Sequence, residues 1–275
     1  MSNVVVAGVD GSASSLAAVE EAAREALWRD AELRIVHGLA LPVMPMHVPM
    51  DPSPLGPPED SLRKVAERLV REAAERARRV APPVRVSQAV LNGDALTALE
   101  LQSRTADLVV VGSRGMGGFI GMLLGSTAVF LTAHGQCPVM VVREQPDTSG
   151  PVLLGVDGST AGAKALEFAF AEAALRRAEI IALHAHRNRP GATDESVDLT
   201  KVLAGHQERH PDVAVSQAVV DDGPREALIE ASKTAQLTVV GARGRGGFTG
   251  LLLGSVSQAL LHHAHSPVAV VRGKG

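Results

Sequence analysis

The chain has 275 residues and a formal net charge of -3, from 27 basic and 30 acidic side chains, so no global positive field draws it to nucleic acid or an anionic membrane. Its one cysteine, Cys137, excludes an internal disulfide, and 5 Phe, 1 Trp and no Tyr leave few rings for bases to stack on. No apolar run reaches the roughly 20 residues of a membrane span, and MSNVVVAGVD lacks the basic flank and long apolar core of a signal peptide, so a cytoplasmic protein is expected.

In chain order, Asn3–Val9 is a short apolar run that ends in Asp10-Gly11-Ser12, as expected of a buried parallel strand meeting a turn. An Ala-rich helix is predicted over Ser14–Arg29, a strand over Glu32–Leu39 and a second helix over Asp60–Val80. Between these last two, 41–58 holds seven prolines and three methionines, which forbid regular structure and predict a long loop, either a lid, a docking surface or an inert insertion. A strand over Val84–Leu91 and a helix over Ala95–Arg104 then lead into the apolar run at Leu108. A helix is predicted to start with Ser126 as its N-cap, before a strand at Val139–Arg143.

The order then repeats. Strands are predicted at Val152–Val156, Glu179–Ala185, Val213–Val220, from Leu237 and at Val268–Arg272. Helices are predicted at Ala161–Arg177, Asp194–Arg209, Arg225–Lys233 and from Ser255, again as N-cap. Each half thus alternates strand and helix, which means α/β: an open five-stranded parallel sheet with right-handed crossovers and helices on both faces. The polar, turn-rich EQPDTSGP reads as a linker, giving tandem domains over 1–145 and 151–275.

The two halves match best around their glycines. Asp107–Ser126 and Gln236–Ser255 share 14 of 20 residues, and the spacing Gly112-x2-Gly115-x9-Gly125-Ser126 recurs as Gly241-x2-Gly244-x9-Gly254-Ser255. Glycines admit positive φ and let N–H groups approach a ligand without a Cβ in the way, and a helix start adds unpaired donors, so an anion such as phosphate is the natural guest. No Asp or Glu occurs from Leu108 to Arg143 or from Leu237 to Gly275, which removes repulsion. A P-loop would need Gly-Lys-[Ser/Thr], yet all five lysines lie elsewhere, and Ile120 and Thr249 break a dinucleotide fingerprint.

This spacing resembles the signature of the ATP-binding class of the universal stress protein family, in two tandem copies that cover nearly the whole chain. The resemblance implies strand order 3-2-1-4-5 in each half. It also implies ATP as ligand, with Mg²⁺ held mainly by the phosphates, and a stress-response regulator or switch rather than an enzyme. No catalytic residue and no metal ligand of the protein is assigned, and hydrolysis would be slow at most. The matching positions assign Gly8, Val9, Asp10 and Gly38 to the nucleoside in the first half, and Gly155, Val156, Asp157 and Ala185 in the second. Gly112, Gly115, Gly125 and Ser126 form the phosphate set, mirrored by Gly241, Gly244, Gly254 and Ser255. A further small or hydroxylated residue follows, Thr127 in one half and Val256-Ser257 in the other.

For Asp10 and Asp157 an Asx turn or helix cap is an equal reading of Asp-Gly-Ser. Arg114 and Arg243 either clamp phosphate or sit solvated. A slow ATPase or phosphotransferase, and a nucleotide-free dimerisation scaffold, stand as alternative functions. Family members pair through the fifth strand, so Val139–Arg143 and Val268–Arg272 are expected to join the two halves, with a homodimer beyond that.

Overall fold

The computed structural model describes residues 3–40, 58–115, 124–143, 149–159, 162–186, 197–244 and 252–273. The Pro/Met-rich loop at 41–57 and most of the linker, 144–148, lie outside the described residues. The first half runs β1 (Val4–Gly8), α1 (Ala13–Trp28), β2 (Glu32–Leu39), α2 (Pro58–Val80), β3 (Arg85–Asn92), α3 (Ala95–Ser103), β4 (Leu108–Gly112), α4 (Ser126–His134) and β5 (Val139–Val142). The second runs β6 (Val152–Gly155), α5 (Ala163–Arg176), β7 (Ile180–His186), α6 (Leu199–Arg209), β8 (Val215–Asp221), α7 (Pro224–Ala231), β9 (Leu237–Gly241), α8 (Ser255–His263) and β10 (Val268–Val271).

All ten strands form one sheet, ordered β3-β2-β1-β4-β5-β10-β9-β6-β7-β8. Within each half the order is the expected 3-2-1-4-5 and every pair is parallel. The halves meet where β5 and β10 pair antiparallel, Met140 opposite Ala269 and Val141 opposite Val268. Both strands are buried along their full length, as short β-branched edges would otherwise invite other chains. Helices α1, α2, α5 and α6 cover one face of the sheet, where Met140 and Val142 share a core with Ala269 and Val271. The other four helices cover the opposite face through Leu99, Leu131, Leu228 and Leu260.

Two helix caps and the start of α6 differ from expectation. Gly125 and Gly254 are the N-caps of α4 and α8, in extended conformation, so Ser126 and Ser255 are the first helical residues. Neither cap makes a side-chain bond, because the residue at the cap position has no side chain. Helix α6 begins at Leu199 rather than Asp194, since the Asp198 carboxylate accepts from Lys201 N at 3.2 Å and fixes the cap there.

Helices α1 and α5 bring charge into the junction between the halves. Glu25 and Arg29 correspond, 147 residues on, to Glu172 and Arg176, and each arginine bonds both its own helix's glutamate and the other's. Arg176 Nη2 also donates to Glu21 at 2.8 Å and lies over the Trp28 ring at 4.8 Å. In the other direction Phe168 holds the position equivalent to Glu21, and Arg29 sits 5.8 Å from its ring centroid. The side chains of Arg176, Glu21, Glu25 and Glu172 are at most 2% exposed, so ion pairing must offset nearly full desolvation. Three carboxylates then face two guanidinium groups, with Arg24 on Glu21 at the rim.

Burial, then the neighbouring Glu172, push the Glu25 carboxyl up to about 8, against the pull of Arg176 and Arg29. Because the folded value lies above the ordinary 4.5, stability from Glu25 is complete below that pH and is lost as pH rises through about 8. The thermal midpoint of the native chain, followed by calorimetry from about pH 5 to about pH 9, should therefore fall, and Glu25→Gln should flatten that fall. Replacing Arg176 by Met leaves buried carboxylates uncompensated and should cost ~3–5 kcal/mol in denaturant unfolding.

Candidate functional site

In each half the sheet order reverses between the first and fourth strands, and a crevice opens there at the strands' carboxyl ends. In the first half β1 delivers Asp10, whose Oδ1 accepts from Ser12 N at 3.0 Å and Ser12 Oγ at 2.7 Å, an Asx turn. Gly11 turns the chain at φ 92°, and Ser12 caps α1 by accepting from Ser15 N at 3.2 Å. The second half repeats the turn with Asp157, Gly158 at φ 70° and Ser159. Positive φ therefore falls in the Asp-Gly turns, and none of Gly112, Gly115 and Gly125 adopts it. The carbonyl ahead of each aspartate is held by a histidine: His37 Nδ1 lies 2.8 Å from Val9 O, and His184 Nδ1 lies 2.7 Å from Val156 O.

The glycine spacing has two separate causes. A Cβ on Gly112 would stand 2.6 Å from the backbone of Ser14, and one on Gly115 would stand 2.6 Å from Asp10 Oδ2. These two positions let the loop after β4 close over the start of α1, where the hydroxyls of Ser12 and Ser14 donate to Arg114 O. Gly244 presses on Asp157 in the same way. Gly125 differs, since the nearest atoms a Cβ would meet are 3.6 Å away, so the protein itself has room for a side chain there. What the bare backbone leaves open is the cavity.

That cavity measures 410 Å³ and brings together Gly8, Val9, Asp10, Gly38, Gly112, Arg114, Gly115, Gly125, Ser126 and Thr127. Its counterpart of 550 Å³ gathers Gly155, Val156, Asp157, Ala185, Gly241, Arg243, Gly244, Gly254, Ser255, Val256 and Ser257. Every residue singled out from the sequence thus lines one of the two. Among their amides, Gly125 N–H is engaged by Ser113 O at 2.8 Å and Gly254 N–H by Ala242 O at 2.7 Å. Ser126, Thr127 and Ala128, the first turn of α4, line the first cavity, and a helix has no partner of its own for the N–H groups of its first turn. Ser257 donates its hydroxyl proton to Gly241 O at 2.7 Å, so toward its cavity it is an acceptor; Ala128 takes its place in the first half.

Other lining residues were not anticipated. Val36, Leu99 and Leu124 form apolar walls of the first cavity, and Leu228 and Leu253 do so in the second, where Arg225 adds a cation. A signal existed for those on α3 and α7, since a helix that begins right after a strand starts at the carboxyl edge where ligands bind. Among the described residues no group of three His, Cys, Asp or Glu side chains gathers to hold a metal ion, and no helix is long and apolar enough to cross a membrane.

Two α/β domains that share one sheet, each with a glycine-framed crevice at its switch point, define the class of protein. The model of the universal stress protein family matches residues 1–143 and again 149–272, and the chain belongs to that family. It is 36% identical over 285 residues to universal stress protein Rv2623 of Mycobacterium tuberculosis, covering 98% of this chain and 96% of that one. A universal stress protein of Mycolicibacterium smegmatis is 39% identical over 290 residues, with the same two coverages. The crystal structure of a universal stress protein from Archaeoglobus fulgidus superposes with a TM-score of 0.75 at 20% identity over 99% of both chains, a likeness of fold.

If Gly115 is glycine because of the Asp10 carboxylate, the two positions must be energetically coupled. Gly115→Ala should destabilise the native chain, and by ~1 kcal/mol less once Asp10 is Ala, in a double-mutant cycle of denaturant unfolding. Gly125→Ala should stay within ~0.5 kcal/mol of the native chain.

Proposed function

We propose that each crevice binds one ATP, with Mg²⁺ carried mainly by its phosphates, and that the chain acts as a nucleotide-dependent stress-response switch. The observation that carries this reading is the start of α4, which has no side-chain cap and whose first three residues line a cavity framed by glycines. Helix dipole and amides together favour negative charge without any lysine. Cavities of 410 and 550 Å³ lie within the ~300–1,000 Å³ usual for small-molecule sites. The apolar walls from Val36, Leu99 and Val111 suit a base, and Gly38, against Ala95, keeps the second strand's end close to that wall. Asp10 and Asp157, held by their Asx turns, stand at the nucleoside end, and Arg114 and Arg243 at the phosphate end. Arg225 gives the second crevice more positive charge, so the second site should be the tighter one.

Binding rather than turnover is the activity proposed, because both glycine stretches lack the lysine and the carboxylates that phosphoryl transfer relies on. A cytoplasmic homodimer belongs to the same proposal. The fifth-strand edges already occupy each other, so two chains must meet through another surface.

Isothermal titration of the native chain with Mg-ATP should give two sites, and the thermal midpoint should rise with nucleotide concentration. Gly125→Ala and Gly254→Ala should each weaken one site by at least about tenfold. The absence of both binding heat and a shifted midpoint at millimolar Mg-ATP would falsify the proposal.

A further inference from the structure

The junction between the halves has two sides, related by the internal repeat, and they are built differently. On one side a cleft of 600 Å³ lies between the turn Gly135–Pro138 of the first half, the outer face of α5 and the residues that follow β10. Phe168 and Ala171 supply an apolar wall, and Lys164 and Arg272 supply positive charge beside a single acid, Glu167. At the equivalent positions on the other side stand Glu21, Arg24, Ala17, Arg143 and Glu20.

On that other side the charges close on one another. Arg24 pairs with Glu21 at 2.8 Å, Glu20 with Arg76 of α2 at 2.6 Å, and Arg143 Nη2 donates to Leu261 O across the junction at 2.9 Å. In the cleft none of these closures exists. Phe168 stands for Glu21, Ala171 for Arg24, and Arg272 Nη1 is buried without a hydrogen-bond partner. A buried guanidinium nitrogen left unpaired costs free energy that a bound anion would recover. Cys137 lines the same cleft, but burial pushes its thiol up to about 12, so it is a wall and not a nucleophile.

We propose that this cleft binds a small amphipathic organic anion, with its carboxylate or phosphate head on Arg272 and Lys164 and its apolar body against Phe168 and Ala171. The volume fits a small molecule and is far larger than one water needs. Such a ligand touches both halves at once, so its binding tightens the junction. It is distinct from the strand-end crevices and does not depend on their taking a nucleotide.

The probe is 8-anilinonaphthalene-1-sulfonate, an anionic head on aromatic rings, titrated by fluorescence into the native chain without nucleotide. One class of sites should weaken at least about tenfold in Arg272→Gln and in Ala171→Arg, which installs the arginine of the closed side. The same class should be unchanged in Arg143→Gln. Octanoate or octyl phosphate should displace the probe from it, and which of them acts at lower concentration identifies the preferred head; octanol should not displace it. Equal affinity in all variants, an equal loss in Arg143→Gln, or displacement by octanol as readily as by octanoate overturns the proposal. Should Arg272→Gln fail to fold, Lys164→Gln on the exposed rim makes the same test with the same expected loss.

Discussion

The antiparallel seam between β5 and β10 is the constraint on which the rest of the molecule depends. Once Met140 and Ala269 face each other across it, ten strands share one sheet and one face of the core runs unbroken through both halves. The seam also brings α1 and α5 together, and that is what drives Glu21, Glu25, Glu172 and Arg176 out of water. Buried ions are weak evidence of added stability, since apolar side chains of the same volume often do as well. Here the exchange of arginines between halves does something an apolar patch does not. Each arginine pairs with a glutamate of both helices, so the network ties α1 to α5 across the junction.

The same geometry sets the two crevices apart. Each lies in the middle of its own half in strand order, between the first and fourth strands. The loop after β4 reaches over the start of α1 because Gly112 and Gly115 let it, and it is tied there by the hydroxyls of Ser12 and Ser14. The architecture thereby consumes part of the glycine motif. Only its last member, Gly125, with the three amides that follow, is left to the guest.

Duplication gave two copies of this device, and the copies have diverged around their edges more than at their centres. The turn residues, the histidine under each strand-end carbonyl and the glycines are held in both halves. The surroundings are not: Arg225 is added to one crevice, Ser257 replaces Ala128, and the two sides of the junction carry different charges. An internal repeat thus provides a built-in comparison, in which a residue lost from one copy shows what the other copy uses it for.

Much of this was legible beforehand. Alternating apolar runs and Ala-rich helices gave the fold, because periodicity and turn chemistry are local properties. The repeated spacing of glycines gave the crevice residues, because a strand end, a turn and a helix start lie together in any sheet of this order. Helices α4 and α8 begin at Ser126 and Ser255 as expected, but their caps are Gly125 and Gly254, since a cap is decided by φ and ψ and not by which side chain has a hydroxyl. The Glu25–Arg29 and Glu172–Arg176 pairs carry no local mark of burial, because the same i,i+4 spacing serves on a solvated helix face. Residues alone therefore determined the fold of each half and where its crevice lies. Tertiary structure decided which charges are buried and which amides stay open, because desolvation and hydrogen-bond competition depend on neighbours remote in the chain.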